Sequence, residues 1–440
     1  MNQPTIHREE LGSVVGEALS AQPVRDMHTH LYAPSFGSPV RGAGQAPDPK
    51  GLLLWGIDEL VTYHYLVAEV YRVVPATKLP YEQFWKMTKT QQADHIWKNL
   101  FVERTPISEA CRGVLTTLQK LGLDPNESTL EPYRKFFARQ EPGKYIDRVM
   151  ELGNVSSITM TNEVFDDNER SRWLRDPQVG SDPRFSGVLR IDMVLRDYPS
   201  AAARLHEWGY AVDAKIGDRT IEEARRFLRE WIGRMKAIYV AVSLPPEFRY
   251  PAPPSDKVAV AGESMLRNVV LPVCAEMGIP FAMMIGSRKA VNPSLRDGGD
   301  VGGLSDVASV ANLCREFPEN RFLVTMLSRE NQHELCVTAR KFGNLMVFGC
   351  WWFLNNPSLI EEIERMRFEL LGTSFIPQHS DARILDQLIY KWDHSRRVIA
   401  KVLEDKYADL LKSGWRVTKA VVQRDAQLLL EGNFSGFVQR

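Results

Sequence analysis

Eight short apolar runs punctuate this chain, and their spacing is what most restricts its fold. They are VRDMHTH (24–30), SSITMTN (156–162), SGVLRIDMVL (186–195), AIYVAVSLPP (237–246), IPFAMMIG (279–286), RFLVTMLS (321–328), LMVFGCWWF (345–353) and SFIPQHSD (374–381). They are rich in Val, Ile, Phe and Met and lack strict alternation, which fits strands of a parallel sheet buried on both faces. Helical patterns separate them. In 220–236, Thr220 and Glu223 read as a capping box ahead of a stripe of Ile221, Ala224, Phe227, Trp231 and Met235. In 358–371, Ser358 and Glu361 read as a second box after Pro357, with Leu359, Ile363, Met366 and Leu370 as the buried stripe and Gly372 as the stop. Segments 264–277 and 304–317 are similar. Eight strands alternating with helices predict an α/β protein, a (β/α)8 TIM barrel. A doubly wound sheet is the alternative, because strand order is not readable from the sequence. Residues 52–150 carry helical patterns and no strand run, so a helical insertion follows strand one. The expected division is an N-terminal helix with barrel strand one (1–34), a loop and helical lid (35–150), and the rest of the barrel with C-terminal helices (151–440).

Composition excludes several classes. Lys+Arg and Asp+Glu are both 55, so the formal net charge is zero, and neither a basic stripe nor a basic amphipathic helix is visible. That argues against a nucleic-acid partner and a membrane partner. The longest apolar stretches fall short of the roughly 18 residues of a membrane span. Five scattered cysteines without a CxxC pair read as small core residues of a protein from a reducing compartment. With no apolar segment near the N-terminus, the expected location is cytoplasmic. Homo-oligomer formation stays open.

Two constellations carry chemistry. His28 and His30, at i and i+2 on strand one, point to the same face and at the mouth of a barrel would suit zinc or another borderline divalent metal. The competing reading is a polar strand end with hydrogen-bonded histidines. Asp381 ends run eight, with His379 two residues earlier. When a barrel closes, strand eight lies beside strand one, so Asp381 would join the two histidines. Its competing role is a helix N-cap, and His379, one layer deeper, reads as a supporting or core residue. Asp58, Tyr65 and Arg72, spaced by seven, would share one face if 52–73 were one helix, either as a polar lid or as a solvated face. Arg288 and Lys289 after strand five read as carboxylate partners or as surface charge. Of Trp351 and Trp352, one is expected in the core and one at the pocket. SRWLRDP (171–177) and RDGGD (296–300) read as loops above the barrel.

The blocks HTHL (28–31) and SDAR (380–383) resemble the amidohydrolase superfamily. DMHTHL (26–31), His64-Tyr65 with Arg72, MTNEVFD (160–166), MIGSRKAVNPSL (284–295), LSRENQ (327–332), FGCWWFLNNP (348–357) and HSDAR with Arg396 and Arg397 are similar to the uronate (glucuronate) isomerases of that superfamily, in order along nearly the whole chain. The resemblance implies one divalent metal, zinc first, on His28, His30 and Asp381. It implies catalytic roles for Asp381, Tyr65 and Arg383, and substrate contacts from His64, Arg72, Arg288, Arg329, Trp351 and Trp352. Two departures stand out. Met284 occupies the place of a strand-five histidine of related isomerases, and no bridging lysine follows strand four, which implies a mononuclear site.

The expected activity is a metal-dependent aldose–ketose isomerase of hexuronates, D-glucuronate to D-fructuronate or D-galacturonate to D-tagaturonate, by proton transfer between C2 and C1. The alternatives are a metal-dependent hydrolase or decarboxylase of the same superfamily, and a sugar-acid-binding protein that has lost turnover.

Overall fold

Seven parallel strands form one curled sheet in sequence order, and an irregular eighth segment closes it. The computed structural model describes residues 4–39, 48, 50–175 and 179–439. The strands are β1 (Val24–Thr29), β2 (Val155–Glu163), β3 (Phe185–Arg190), β4 (Val240–Leu244), β5 (Phe281–Ile285), β6 (Phe322–Met326) and β7 (Leu345–Val347), each paired with the next. The run at 374–381 is not a strand. It nevertheless sits in the gap: Ile376 N–H donates to Val347 O (3.0 Å) and Gly349 N–H to Ile376 O (2.9 Å). On the other side, Asp381 N–H donates to His28 O (3.1 Å) and His30 N–H to Ala382 O (2.7 Å). The barrel is therefore closed by a chain that follows its neighbours without regular pairing.

The strands are buried on both faces, as their non-alternating pattern demands. Inside the barrel lie Met27, Val188, Tyr239, Ala241, Ala282, Met284, Leu323 and Met346, with Phe434 and Phe437 of the final helix (Asn433–Gln439) packed into the same cluster. Tyr239 spans this interior, donating its hydroxyl to Met27 O at 2.6 Å. Outside, a larger apolar layer joins sheet and helices. All five cysteines are buried and free.

Several local expectations change. The helix expected at 220–236 spans Asp218–Met235 and begins after Gly217, and no Thr220–Glu223 box forms: Glu223 accepts from Ala211 N–H instead. The helix Pro357–Leu371 is capped by Asn356, whose side chain accepts from Leu359 N–H. Its buried face is Ile360, Ile363, Glu364 and Arg367, a rotation the apolar pattern did not reveal because two of the four are charged. Run three ends at Arg190, and Asp192–Arg196 is already helical. Of the expected loop 171–177, residues 171–175 belong to the helix Asp167–Arg175, and 176–177 lie outside the described residues, as does most of 40–49 in the Gly/Pro-rich loop. One helical stretch, Lys257–Glu276, is long and apolar enough to cross a membrane by length and composition, longer than the apolar runs had suggested. It supplies Met265, Leu266, Val269, Val270 and Leu271 to the outer core layer.

Between β1 and β2 the chain forms a series of short helices, from Ile57–Val61 and His64–Val73 to Pro142–Gly153. The 52–73 segment is thus two helices broken at Thr62–Tyr63, so the seven-residue spacing does not place Asp58, Tyr65 and Arg72 on one face. Asp58 pairs with Arg134 at 2.9 Å, and Arg72 is exposed.

Candidate active site

The mouth of the barrel collects the carboxyl ends of its strands. β1 ends in His28 and Thr29, with His30 following, and the turn after the eighth segment brings Asp381 against them. Asp381 Oδ1 lies 3.6 Å from His28 Nε2 and 3.3 Å from His30 Nε2. Neither Asp381 Oδ1 nor His28 Nε2 makes an aligned hydrogen bond, although both atoms are buried. Unpartnered buried polar atoms are costly, so a group that satisfies them would be favoured here. The ligand atoms of His28, His30 and Asp381 lie within 4.8 Å of one another, and these residues could hold a metal ion.

The protonation states suit that role. Burial pushes the His30 imidazole down to about 3, with Asp381 opposing and Arg383 assisting, so it is neutral. Its Nδ1 lies 3.3 Å from Thr161 Oγ1, whose own proton goes to Thr29 O at 2.7 Å. The Thr161 oxygen is therefore left to accept, which places the imidazole proton on Nδ1 and frees the Nε2 lone pair. Burial pushes the Asp381 carboxyl up, but the two imidazoles outweigh it and hold the acid well below the ordinary range. Asp381 adopts φ +51°, a left-handed conformation uncommon outside glycine. It is no helix cap: the following helix starts at Gln387, after Asp386.

The pocket around this trio is lined by His64, Arg190, Ser243, Met284, Ser287, Lys289, Trp351, Trp352 and Arg383. Arg190 presents its Nε and Nη2 to the two oxygens of Asp192 (3.1 and 2.7 Å), and Nη2 also reaches Ser243 Oγ (3.1 Å). Its Nη1 has no partner among the described residues. Arg383 donates to Asp297 (3.0 Å), and Lys289 to Asp300 (2.6 Å) while standing 4.9 Å over the Trp352 ring. Trp352 holds φ +48°, and its indole N–H is buried without a partner. Burial and Arg383 push the His64 imidazole down to about 3.

Of the residues singled out in the sequence, the pocket brings together His28, His30, Asp381, Arg383, His64, Lys289, Trp351 and Trp352. It does not bring in the others. Tyr65 lies behind His64, ring centroids 4.6 Å apart, its hydroxyl buried and unpartnered. Arg72 is exposed. Arg288 and Arg329 point outward and pair with Glu247 (3.3 Å) and Glu362 (2.9 Å), the ordinary surface charge that spacing alone could not exclude. Arg396 serves the opposite end of the barrel, donating to Gln22 O and Asn154 O. His379 packs edge-on against His28 at 5.3 Å, beneath the trio. Arg190, Ser243 and Ser287 were missed. Arg190 was hidden inside an apolar run read through to residue 195, yet a polar residue where a barrel strand ends is itself a signal.

Fold and site together define a barrel of the amidohydrolase type, with an HxH pair on the first strand and an aspartate after the eighth. No protein-family model matches the chain, and none of the curated proteins does. Among solved structures, a uronate isomerase from Bacillus halodurans is 51% identical over 99% of this chain and 98% of its own, with a TM-score of 0.92. The chain belongs to the uronate isomerase family. A uronate isomerase from Thermotoga maritima (13% identical, TM-score 0.75) and a glucuronate isomerase from Caulobacter crescentus (15%, 0.74) share the fold over 99% of this chain.

Proposed function

We propose that this protein is a hexuronate aldose–ketose isomerase that holds one divalent metal, zinc in the first instance, on His28, His30 and Asp381. The observation that carries the reading is the pairing of that trio with three cations, Arg190, Lys289 and Arg383, in one pocket. A sugar acid presents hydroxyl oxygens at one end and a carboxylate at the other, and the pocket offers a partner for each. When bound, the metal supplies Lewis acidity toward substrate oxygens.

The chain's own residues do the rest. Arg190, fixed on one edge by Asp192, offers Nη1 to the substrate carboxylate or a neighbouring hydroxyl. Arg383 and Lys289 balance negative charge that develops during enolisation. Asp381 is the one carboxylate among the described residues that line the pocket, and it exchanges a proton with a substrate hydroxyl. Trp351, Trp352 and Met284 line the pocket and limit water. The surface-facing Arg288 and Arg329 have no part in this reading, and Tyr65 acts through His64, which it supports.

The test is a proton NMR time course in deuterated buffer with zinc-loaded protein and D-glucuronate or D-galacturonate. Ketouronate from either sugar, lost in His28→Ala, is the expected result and identifies the epimer. Solvent deuterium in the product marks proton transfer through an exchangeable base. No turnover of either sugar by metal-loaded protein would sink the reading.

A further inference from the structure

Behind Asp381, a closed ring of hydrogen bonds grips a single residue, Ser380. Its N–H donates to Asp26 Oδ1 at 3.1 Å. Its carbonyl accepts from the Lys391 ammonium. Trp392, next to Lys391 on the helix Gln387–Lys412, donates its indole N–H to Asp26 Oδ2 at 2.9 Å, which completes the ring. The groups are buried: Asp26 is fully so, and Lys391 is only 4% exposed. Among the described residues no carboxylate lies within 4.0 Å of Lys391, which hydrogen-bonds Ser380 O while Asp381 and Asp26 oppose its burial from farther off. A buried ammonium is a costly means of holding one carbonyl, and its retention calls for a reason.

Position supplies that reason. Ser380 immediately precedes Asp381, the left-handed residue whose carboxylate meets His28 and His30. Asp26 Oδ1 also faces His28 N–H at 3.4 Å, so one carboxylate touches the backbone of one member of the trio and of the residue just before another. The Ser380 hydroxyl accepts from Ala382 N–H at 3.2 Å, on the far side of Asp381. A residue held at positive φ persists only where its surroundings over-determine it.

We propose that Asp26, Lys391 and Trp392 are positioning residues that clamp Ser380 at both its N–H and its C=O and so fix the turn that aims Asp381 at the two histidines. None of them lines the pocket or touches substrate. Their effect reaches the reaction through the geometry of the metal-binding trio, so the inference rests on the reading of that trio given above.

The experiment uses the full-length protein stripped of metal. Zinc affinity is measured by competition with a chromophoric chelator, without substrate, for wild type, Lys391→Met and Trp392→Phe. The same proteins, zinc-saturated, give kcat and KM. Expected is a zinc dissociation constant raised roughly 10- to 100-fold in Lys391→Met, the usual scale for losing a partner that orients a ligand, with kcat lowered and KM within about threefold. Trp392→Phe, which keeps an aromatic ring at the cost of some buried volume and removes one donor, should show the same pattern at roughly 3- to 10-fold. A folded Lys391→Met with zinc affinity and kcat within twofold of wild type overturns the clamp. Should Lys391→Met fail to fold, unchanged zinc affinity in Trp392→Phe overturns it equally. Wild type that binds no zinc would instead overturn the reading of the trio.

Discussion

The barrel mouth and the helical outer wall treat their polar groups in opposite ways. On the helix Asp218–Met235 the charges are matched within the chain: Arg225 with Glu222 (2.7 Å), Arg226 with Glu223 (2.7 Å) and Glu230 (2.9 Å), and Arg229 with Glu276 (2.8 Å). At the mouth, His28 Nε2, His64 Nε2, Tyr65 Oη, Trp352 Nε1 and Asp381 Oδ1 are buried without hydrogen-bond partners, and both Trp352 and Asp381 hold positive φ. On this helix the charges are answered within the chain, whereas the mouth gathers several unpartnered buried atoms around one pocket. Exposed pairs contribute little; buried unpaired groups and strained residues cost stability and persist where function requires them.

The contrast can be broken in five places. Removing a member of the trio should have the largest effect: His28→Ala or Asp381→Asn is expected to lower kcat/KM by roughly 10³-fold or more, about 4 kcal/mol of transition-state stabilisation. Residual activity within tenfold of wild type would detach the trio from the chemistry. Arg190→Lys, which cannot keep both contacts to Asp192 and still offer a free N–H, should raise KM about 10- to 100-fold. An unchanged KM would show that the sugar acid is held elsewhere.

Gly349 tests the strain at the mouth. It has φ +60°, and an added Cβ would lie 1.8 Å from His379 Nδ1. Gly349→Ala should cost about 2–3 kcal/mol, read as a lowered urea midpoint; a loss below about 0.5 kcal/mol would mean the turn yields freely.

Glu364 sits between the two regimes, fully buried with Arg367 at 3.3 Å. Burial pushes its carboxyl up to about 8 against the opposing pull of Arg367. The folded state therefore holds this proton more tightly than the unfolded chain. Stability from this group is greatest below the unfolded value of about 4.5 and falls as pH rises toward 8, by up to about 1.4 kcal/mol per unit. Glu364→Gln should flatten that decline between pH 5 and 8 in urea titrations, and an unaltered slope would assign the decline to other groups. The smallest effect belongs to the wall: Arg229→Gln should leave Tm within about 1 °C, as expected for an exposed pair, and a larger shift would mean the wall is less self-sufficient than its pairing indicates.

How much was legible in advance differs along the chain. The HxH pair and Asp381 could be joined from the sequence, because each ends a run and strand counting places the first and last runs side by side. The cations could not be sorted that way. Arg288 and Lys289 are neighbours, yet Lys289 lines the pocket with Asp300 beside it while Arg288 pairs outward with Glu247. Alternation says only that they diverge, not which one faces in. His64 and Tyr65 were both expected at the pocket, and only His64 lines it: the helix break at 62–63 sets the phase, and no residue there announces it. Capping boxes misled at Thr220 and Ser358, since Gly217 and Asn356 offered an earlier start.

The sequence by itself determined the alternation of eight buried apolar runs with helices, the histidine pair and the aspartate near its two ends, and the neutral, low-cysteine composition. Those properties are local, encoded in period and residue type within a few positions. Only the tertiary structure decided that the barrel closes through an irregular segment, that Arg190 lines the pocket while Arg288 and Arg329 face outward, and that Asp26, Lys391 and Trp392 converge on Ser380. Those outcomes depend on contacts between residues as far apart as Asp26 and Trp392. Packing, not periodicity, chooses which side chains meet across such a span.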